Sequence, residues 1–228
     1  MKNLIFLMLI VMLPALAISQ DCGYYNYKKG TVLGYQNLDG KGKVTGTSRM
    51  TFLDVYQKGN AYFFKVQSET TDEKSKEQPK PFEYTMKCEN GEFFIDMSSM
   101  MDPSMASSFG TDVKITSTDL SYPASLSVGQ TLPDASFMIS TASENAISMN
   151  MTINITNRVV AAQESVTVPA GTFDCYKITY NAETKMLFKV NSTAALWMSK
   201  NGGMIKTETY DKKGKLLGST VLNEIRLK

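Results

Sequence analysis

The sequence predicts a single, mainly β domain built on an antiparallel sheet, with one or two short helices. Three observations predict it. Apolar residues recur mostly at period two, and long stretches at helical spacing are scarce, which is the pattern of a sheet packed on one face and wet on the other. Serine, threonine, glycine and asparagine are frequent. Asn90-Gly91 sits between two alternating runs and supplies the residues that a two-residue hairpin turn requires.

Residues 1–20 read as a removable leader. Lys2 and Asn3 are polar, the stretch from Leu4 to Leu16 is apolar except for Pro14, and small residues follow at Ala15, Ala17 and Ser19. The apolar run is shorter than the roughly 20 residues of a bilayer span. The expectation is export to the periplasm or the exterior, with outer-membrane association left open and no membrane span after leader removal. Asp21 and Gln20 precede Cys22, where lipidation would call for a small residue, so a lipid anchor is not expected. The remaining residues, 21–228, are long enough for one domain with its own core.

Within 82–97, Phe82, Tyr84, Met86 and Cys88 share one face of a strand, and Phe93, Ile95 and Met97 answer across the turn. A second pair is expected over 43–56 and 61–68, turning at Gly59-Asn60, and the charged segment 69–81 reads as a solvated connection. A helix of at most two turns is expected next. Asp102 can cap it, Pro103 suits its first position, and Met101, Met105 and Phe109 fall on one stripe. Residues 117–134, with three proline or glycine breaks, read as a long connection. Strands resume over 149–156, 163–168, 173–180, 194–198 and 204–210, with turns at Pro169-Ala170-Gly171 and Asn201-Gly202-Gly203. The last strand carries Val221, Ile225 and Leu227. Residues 39–46 and 211–218 are similar, Asp-Gly-Lys-Gly-Lys-Val-Thr-Gly against Asp-Lys-Lys-Gly-Lys-Leu-Leu-Gly, and hairpin-turn geometry is the expected common cause.

Composition excludes several classes of chemistry. There is no histidine, which removes Ser-His-Asp and Cys-His catalysis and every histidine-containing zinc site. The chain carries 24 basic and 22 acidic residues, too even a balance for a nucleic-acid binder held by phosphate contacts. Asn37, Asp39 and Asp211 lie near glycine turns but lack calcium-loop spacing, so no metal and no cofactor is expected. Asp96 and Asp102 are a carboxylate pair on paper, yet nothing places them across a cleft, and a carboxylate hydrolase ranks last. No catalytic residue is assigned.

Three cysteines follow the leader. One disulfide and one free thiol is the simple arithmetic. Cys22 could reach Cys88, although Cys88 on the apolar face of its strand is equally natural as a buried thiol. Cys175 reads as a buried thiol. Methionines cluster around the expected short helix, and Met97, Met101, Met105 and Trp197 are the candidate lining of an apolar groove, with loose core packing as the plainer alternative.

The run from Val166 through Pro169-Ala170-Gly171-Thr172-Phe173 to Asp174-Cys175-Tyr176-Lys177 resembles a family of exported bacterial proteins of unknown function, the DUF3108-like or TapB-like group. Leu196-Trp197 with Gly202-Gly203-Met204-Ile205-Lys206, Lys87-Cys88-Glu89-Asn90-Gly91 leading into Phe94-Ile95-Asp96-Met97, and the segment from Gly129 to Asp134 are similar to the same family. The resemblance implies a curved sheet, an open or half barrel like that of periplasmic lipoprotein carriers, with a concave apolar surface and the Met-rich helix as its lid. It implies no catalytic residues. The functional expectation is an exported protein that binds an apolar small molecule or an envelope protein. A structural or interaction module of the envelope is the alternative.

Overall fold

A computed structural model of the chain describes residues 22–75, 81–98, 113–141, 150–200 and 202–227. In chain order the strands are β1 (Val32–Asp39), β2 (Val44–Lys58), β3 (Ala61–Asp72), β4 (Phe82–Glu89), β5 (Glu92–Ile95), β6 (Val113–Ser117) and β7 (Leu120–Pro123). They continue with β8 (Ala135–Thr141), β9 (Asn150–Val168), β10 (Gly171–Lys185), β11 (Lys189–Ser199), β12 (Gly203–Asp211) and β13 (Leu216–Arg226). All pair antiparallel in one sheet, in the order β6-β8-β9-β10-β11-β12-β13-β1-β2-β3-β4-β5-β7.

The mainly β reading holds, but the expected fold class is corrected. The described residues contain no helix, where one or two short ones were expected, and their strands form one continuous antiparallel sheet that is not closed. The physical reason is that pairing recruits segments without clean alternation. β7 lies inside the expected connection of 117–134, β3 runs on into the charged segment as far as Asp72, and β9 joins two expected strands into one. The join is made by register shifts that absorb extra residues on β9, one of them opposite Tyr180, where Asn157 takes a positive φ of 54°. The helix expected over 102–110 lies outside the described residues.

The Asn90-Gly91 hairpin forms with both turn residues at positive φ, and Cys88 faces Phe93 while Met86 faces Ile95. The expected third pair, Tyr84 with Met97, is absent because β5 ends at Ile95. The two similar segments prove to be the same turn. Asp39 Oδ1 accepts the N–H groups of Lys41 and Lys43 at 2.8 and 2.9 Å, and Asp211 Oδ1 accepts those of Lys213 and Lys215 at the same distances. These donors hold both carboxyls below their usual range.

The sheet's two edge strands, β6 and β7, are joined by Thr118 and Asp119 alone. A link that short keeps their facing ends within about 11 Å, because a residue spans at most about 3.6 Å. The sheet is therefore rolled until its edges adjoin, without a ladder between them. Arg158 on β9 spans this seam. Its guanidinium donates to Pro133 O at 2.6 Å and to Ser121 O on β7 at 3.0 Å, and lies 4.8 Å from the centre of the Tyr122 ring. The side chain is fully buried.

The core contains Leu33, Phe52, Phe64, Val66, Met86, Phe93, Ile178, Met198, Ile205 and Leu222, together with several tyrosines. Cys22 is bonded to Cys88, with Cα atoms 5.7 Å apart, which anchors the segment before β1 against β4. Tyr25 then stacks on Phe93 at 4.0 Å, and Tyr27 meets Phe52 at 4.6 Å.

Burial pushes the phenols of Tyr25, Tyr27, Tyr35 and Tyr84 far up, and that of Tyr122 to about 12. Both folded and unfolded chains hold these protons below pH 10, the ordinary tyrosine value. Above it the unfolded chain ionises first and is favoured, so stability falls as pH rises through 10 towards 12. The urea midpoint is expected to stay flat from neutral pH to about 9 and then drop steeply. A midpoint unchanged at pH 11 counts against the buried-tyrosine core.

Candidate functional site

A cleft of about 480 Å³ opens where β10 begins and β11 ends. Thr172, Phe173, Asp174 and Tyr176 of β10 line it, with Gln163 of β9 and Ser199 of β11. Tyr24 and Lys200 complete the lining. Strand alternation accounts for Thr172, Asp174 and Tyr176, three of the four β10 residues in the lining. Thr172, Asp174 and Tyr176 point to one side of β10, and Phe173 and Cys175 to the other. Pro169-Ala170 turns the chain between Val168 and Gly171, and Gly171 has a φ of 136° that side chains avoid. Thr167 and Thr172 close the turn through their hydroxyls at 3.0 Å.

Gly202 backs Phe173, and Gly203 lies against Tyr27. A Cβ on Gly202 would meet Ile205 Cδ1 at 2.5 Å and Phe173 Cε1 at 3.1 Å. On Gly203, with φ of 60°, a Cβ would meet the Tyr27 hydroxyl at 2.6 Å. Gly203→Ala therefore combines backbone strain with a clash in a packed site, and an expected loss of about 2 kcal/mol follows. Gly202→Ala displaces only side chains and is expected to cost less. Urea denaturation of the two variants measures both, and the reverse order would contradict the packing described.

Cys175 sits beside this cleft, a buried free thiol. Desolvation, then the charges of Asp174 and Glu164, push it up to about 11. A nucleophilic thiol needs the opposite shift. Cys175 is expected to resist a thiol-specific reagent at pH 8 in the folded protein and to react at once in urea. Rapid reaction of the folded protein would overturn this.

Trp197 lies on the same face of the sheet, one strand over from Lys177 and from Lys206. Its indole is buried, and Nε1–H donates to Glu164 Oε1 at 2.5 Å. The Lys177 and Lys206 ammonium groups stand 4.8 and 4.9 Å from the ring centre. Lys206 also pairs with Glu208 at 2.6 Å, and the Tyr210 hydroxyl donates to the same Glu208 carboxylate. That network raises Tyr210 to about 12 through burial and the Glu208 charge.

Of the sequence-derived groove residues, only Met97 and Trp197 fall among the described residues. Met97 follows β5, seven strands from β11 in sheet order, and Met101 and Met105 lie outside the described residues. Asp96 accepts from the Ser98 N–H, the Ser98 hydroxyl and the Ser117 hydroxyl, and Asp102 is outside the described residues. Among the described residues, no three His, Cys, Asp or Glu side chains stand close enough to hold a metal ion. Sequence reading missed Gln163, Ser199 and Lys200 as cleft residues. The signal available was the Pro-Ala-Gly-Thr-Phe run, which marks the cleft's main wall.

The match to the DUF3108-like family model runs over residues 28–222. The chain belongs to the DUF3108-like family. Two of the motifs quoted for the resemblance meet in space, since Phe173 packs at Gly202 and the Trp197 strand ends at the cleft. A crystal structure of a candidate exported protein with a YmcC-like fold from Bacteroides fragilis NCTC 9343 is similar at a TM-score of 0.70 and 18% identity, covering 90% of this chain and 99% of that one. A crystal structure of a candidate lipoprotein from Parabacteroides distasonis ATCC 8503 gives 0.71 and 26% identity, covering 90% and 98%. No curated protein matches the chain. Among the described residues of this DUF3108-like protein, no helix is long and apolar enough to cross a membrane.

Proposed function

We propose that this DUF3108-like chain is an exported binding module of the cell envelope, and that its cleft at the start of β10 takes a polar segment of another envelope component. The observation that carries the reading is that the family-like Thr172-Phe173-Asp174 run forms the main wall of this cleft. The lining combines a carboxylate, an ammonium group, hydroxyls and an amide with the rings of Tyr24, Phe173 and Tyr176. Such a surface hydrogen-bonds an extended polar segment and leaves its apolar side chains a ring to rest on. Export is supported by the leader-like residues 1–20 and by the descriptions of the two similar proteins as exported protein and lipoprotein.

The test places a photo-crosslinking amino acid at Gln163 in cells, with native mass spectrometry of the purified protein in parallel. A crosslinked envelope component is expected, and Asp174→Lys should weaken its capture roughly tenfold, the equivalent of about 1.4 kcal/mol. A stoichiometric lipid on the purified protein, with no crosslink from the cleft, would sink this reading and favour an apolar small-molecule carrier.

A further inference from the structure

The β10–β11 hairpin ends in three consecutive apolar residues that the core does not use. Met186 is 44% exposed, Leu187 78% and Phe188 81%, and Val190 just beyond is 59% exposed. Single exposed apolar side chains are ordinary, but a contiguous run at a loop tip is not. A turn needs neither leucine nor phenylalanine, and polar residues or glycine form one at no cost in solubility.

The tip also projects. The ladder between β11 and β12 stops at Ser192 and Asp211, whereas that between β10 and β11 continues to Lys185 and Lys189. Three further residues carry the hairpin about 10 Å beyond β12. On its other flank, β9 accompanies β10 to its end, with Thr152 opposite Lys185, so the projection is beyond β12. The turn itself is closed by a hydrogen bond from Met186 N–H to Phe188 O at 3.2 Å, so the three side chains are presented by an ordered backbone.

Charge identifies the surface that fits. Lys185 and Lys189 face each other across the ladder immediately behind the apolar residues. Lys189 pairs with Glu183 at 2.5 Å, an exposed and readily exchanged contact, and Lys185 has no carboxylate partner among the described residues. An apolar tip with a cationic collar one residue behind it matches the layering of a bilayer surface, hydrocarbon first and anionic headgroups next.

We propose that Met186, Leu187 and Phe188 insert into the interfacial region of an anionic lipid bilayer, with Lys185 and Lys189 against the lipid phosphates. The assignment is independent of the cleft. It orients the molecule, because the hairpin tip and the cleft lie at opposite ends of β10. A protein held by this tip presents the cleft away from the bilayer.

The test uses the exported protein as the cell processes it, its N-terminus fixed by mass spectrometry. Vesicles of phosphatidylethanolamine with phosphatidylglycerol are compared with vesicles of phosphatidylcholine in co-sedimentation. The double variant Leu187→Asp/Phe188→Asp is expected to bind the anionic vesicles at least about tenfold more weakly. Lys185→Gln/Lys189→Gln is expected to lose most of the preference for anionic over neutral vesicles, roughly tenfold for two lysines. A Phe188→Cys variant labelled with an environment-sensitive fluorophore reads the tip itself, whatever holds the rest of the chain, and its emission should shift to the blue with anionic vesicles. The buried Cys175 does not compete for the label. An unshifted emission, or double-aspartate binding equal to that of the native protein, overturns the proposal. So does self-association in sedimentation velocity that the aspartate variants abolish, which would assign the tip to a second copy of the chain.

Discussion

Cys88→Ser is expected to lower stability by about 4 kcal/mol, the cost of releasing one long loop in the unfolded chain. The bond between Cys22 and Cys88 spans 66 residues of sequence. Its loss restores to the unfolded ensemble the freedom of all the chain between them. Native contacts add to this, because Cys88 is fully buried in the core and Cys22 nearly so. The segment that Cys22 anchors carries Tyr25 and Tyr27 into the core, where they stack on Phe93 and Phe52. Without the bond, those rings are held by packing alone. For a chain of this size the loss corresponds to a fall in Tm of roughly 10 °C. Urea denaturation of Cys22→Ser, Cys88→Ser and the double variant measures it. The double variant should be no less stable than either single one, since the single variants have already lost the bond and each leaves a free thiol. Trp197, the chain's only tryptophan and a buried one, reports the transition by fluorescence. If reductant leaves the native transition unchanged, the stabilising role assigned to the bond is wrong.

Arg158→Ala is expected to cost about 3 kcal/mol, from two charge-assisted hydrogen bonds and a cavity against the Tyr122 ring. The guanidinium reaches both Pro133 O and Ser121 O, and these bonds go to backbone carbonyls rather than to a carboxylate. A planar fork makes both contacts at once, so Arg158→Lys is expected to recover less than half of the loss. Arg158→Met decides between two effects. It gives up the hydrogen bonds but removes the cost of burying a cation, and that cost can equal the gain. A methionine variant close to native stability would mean that Arg158 fixes the position of β7 rather than strengthening the fold. Amide exchange of β7 separates the cases: faster exchange there, with the other strands unchanged, is the expected signature. If the alanine variant matches the native protein in both stability and exchange, the seam is held by something else.

Much of the fold was legible where local chemistry alone sets the structure. Asn90-Gly91 needs positive φ at both residues, and no long-range contact alters that demand. The paired Asp39 and Asp211 turns are equally local, each a carboxylate reaching two N–H groups within four residues. The strands that were missed are those whose partners are remote. Leu120 to Pro123 carries only four residues and a proline, and it becomes β7 because β5 offers it a free edge. The ladder of β10 and β11 beyond Asn181 and Thr193 has no apolar alternation to announce it, since its residues there are mostly exposed. The site was legible in part. The Pro-Ala-Gly-Thr-Phe run marked one wall, while Gln163 and Ser199 come from neighbouring strands, Lys200 follows the second of these, and only register brings them there. Trp197 was named from the sequence as a candidate groove residue, with packing as the plainer alternative, and its bond to Glu164 and the two lysines over its ring come from register and were not legible there.

The place of β13 between β12 and β1 sets a condition on how the molecule forms. The first five strands pair with their sequence neighbours, and so do those from β8 to β12, but the two groups are linked through β13 by its pairing with β1. Until those last residues arrive, β12 and β1 each present an unsatisfied edge. Folding therefore waits for contacts between the two ends of the chain, the kind that slow the search to milliseconds or longer. For the export proposed above, a chain that cannot finish its sheet stays threadable. The same delay leaves two long edges open to any neighbouring strand, which makes the period before β13 docks the one in which the protein is most exposed to aggregation.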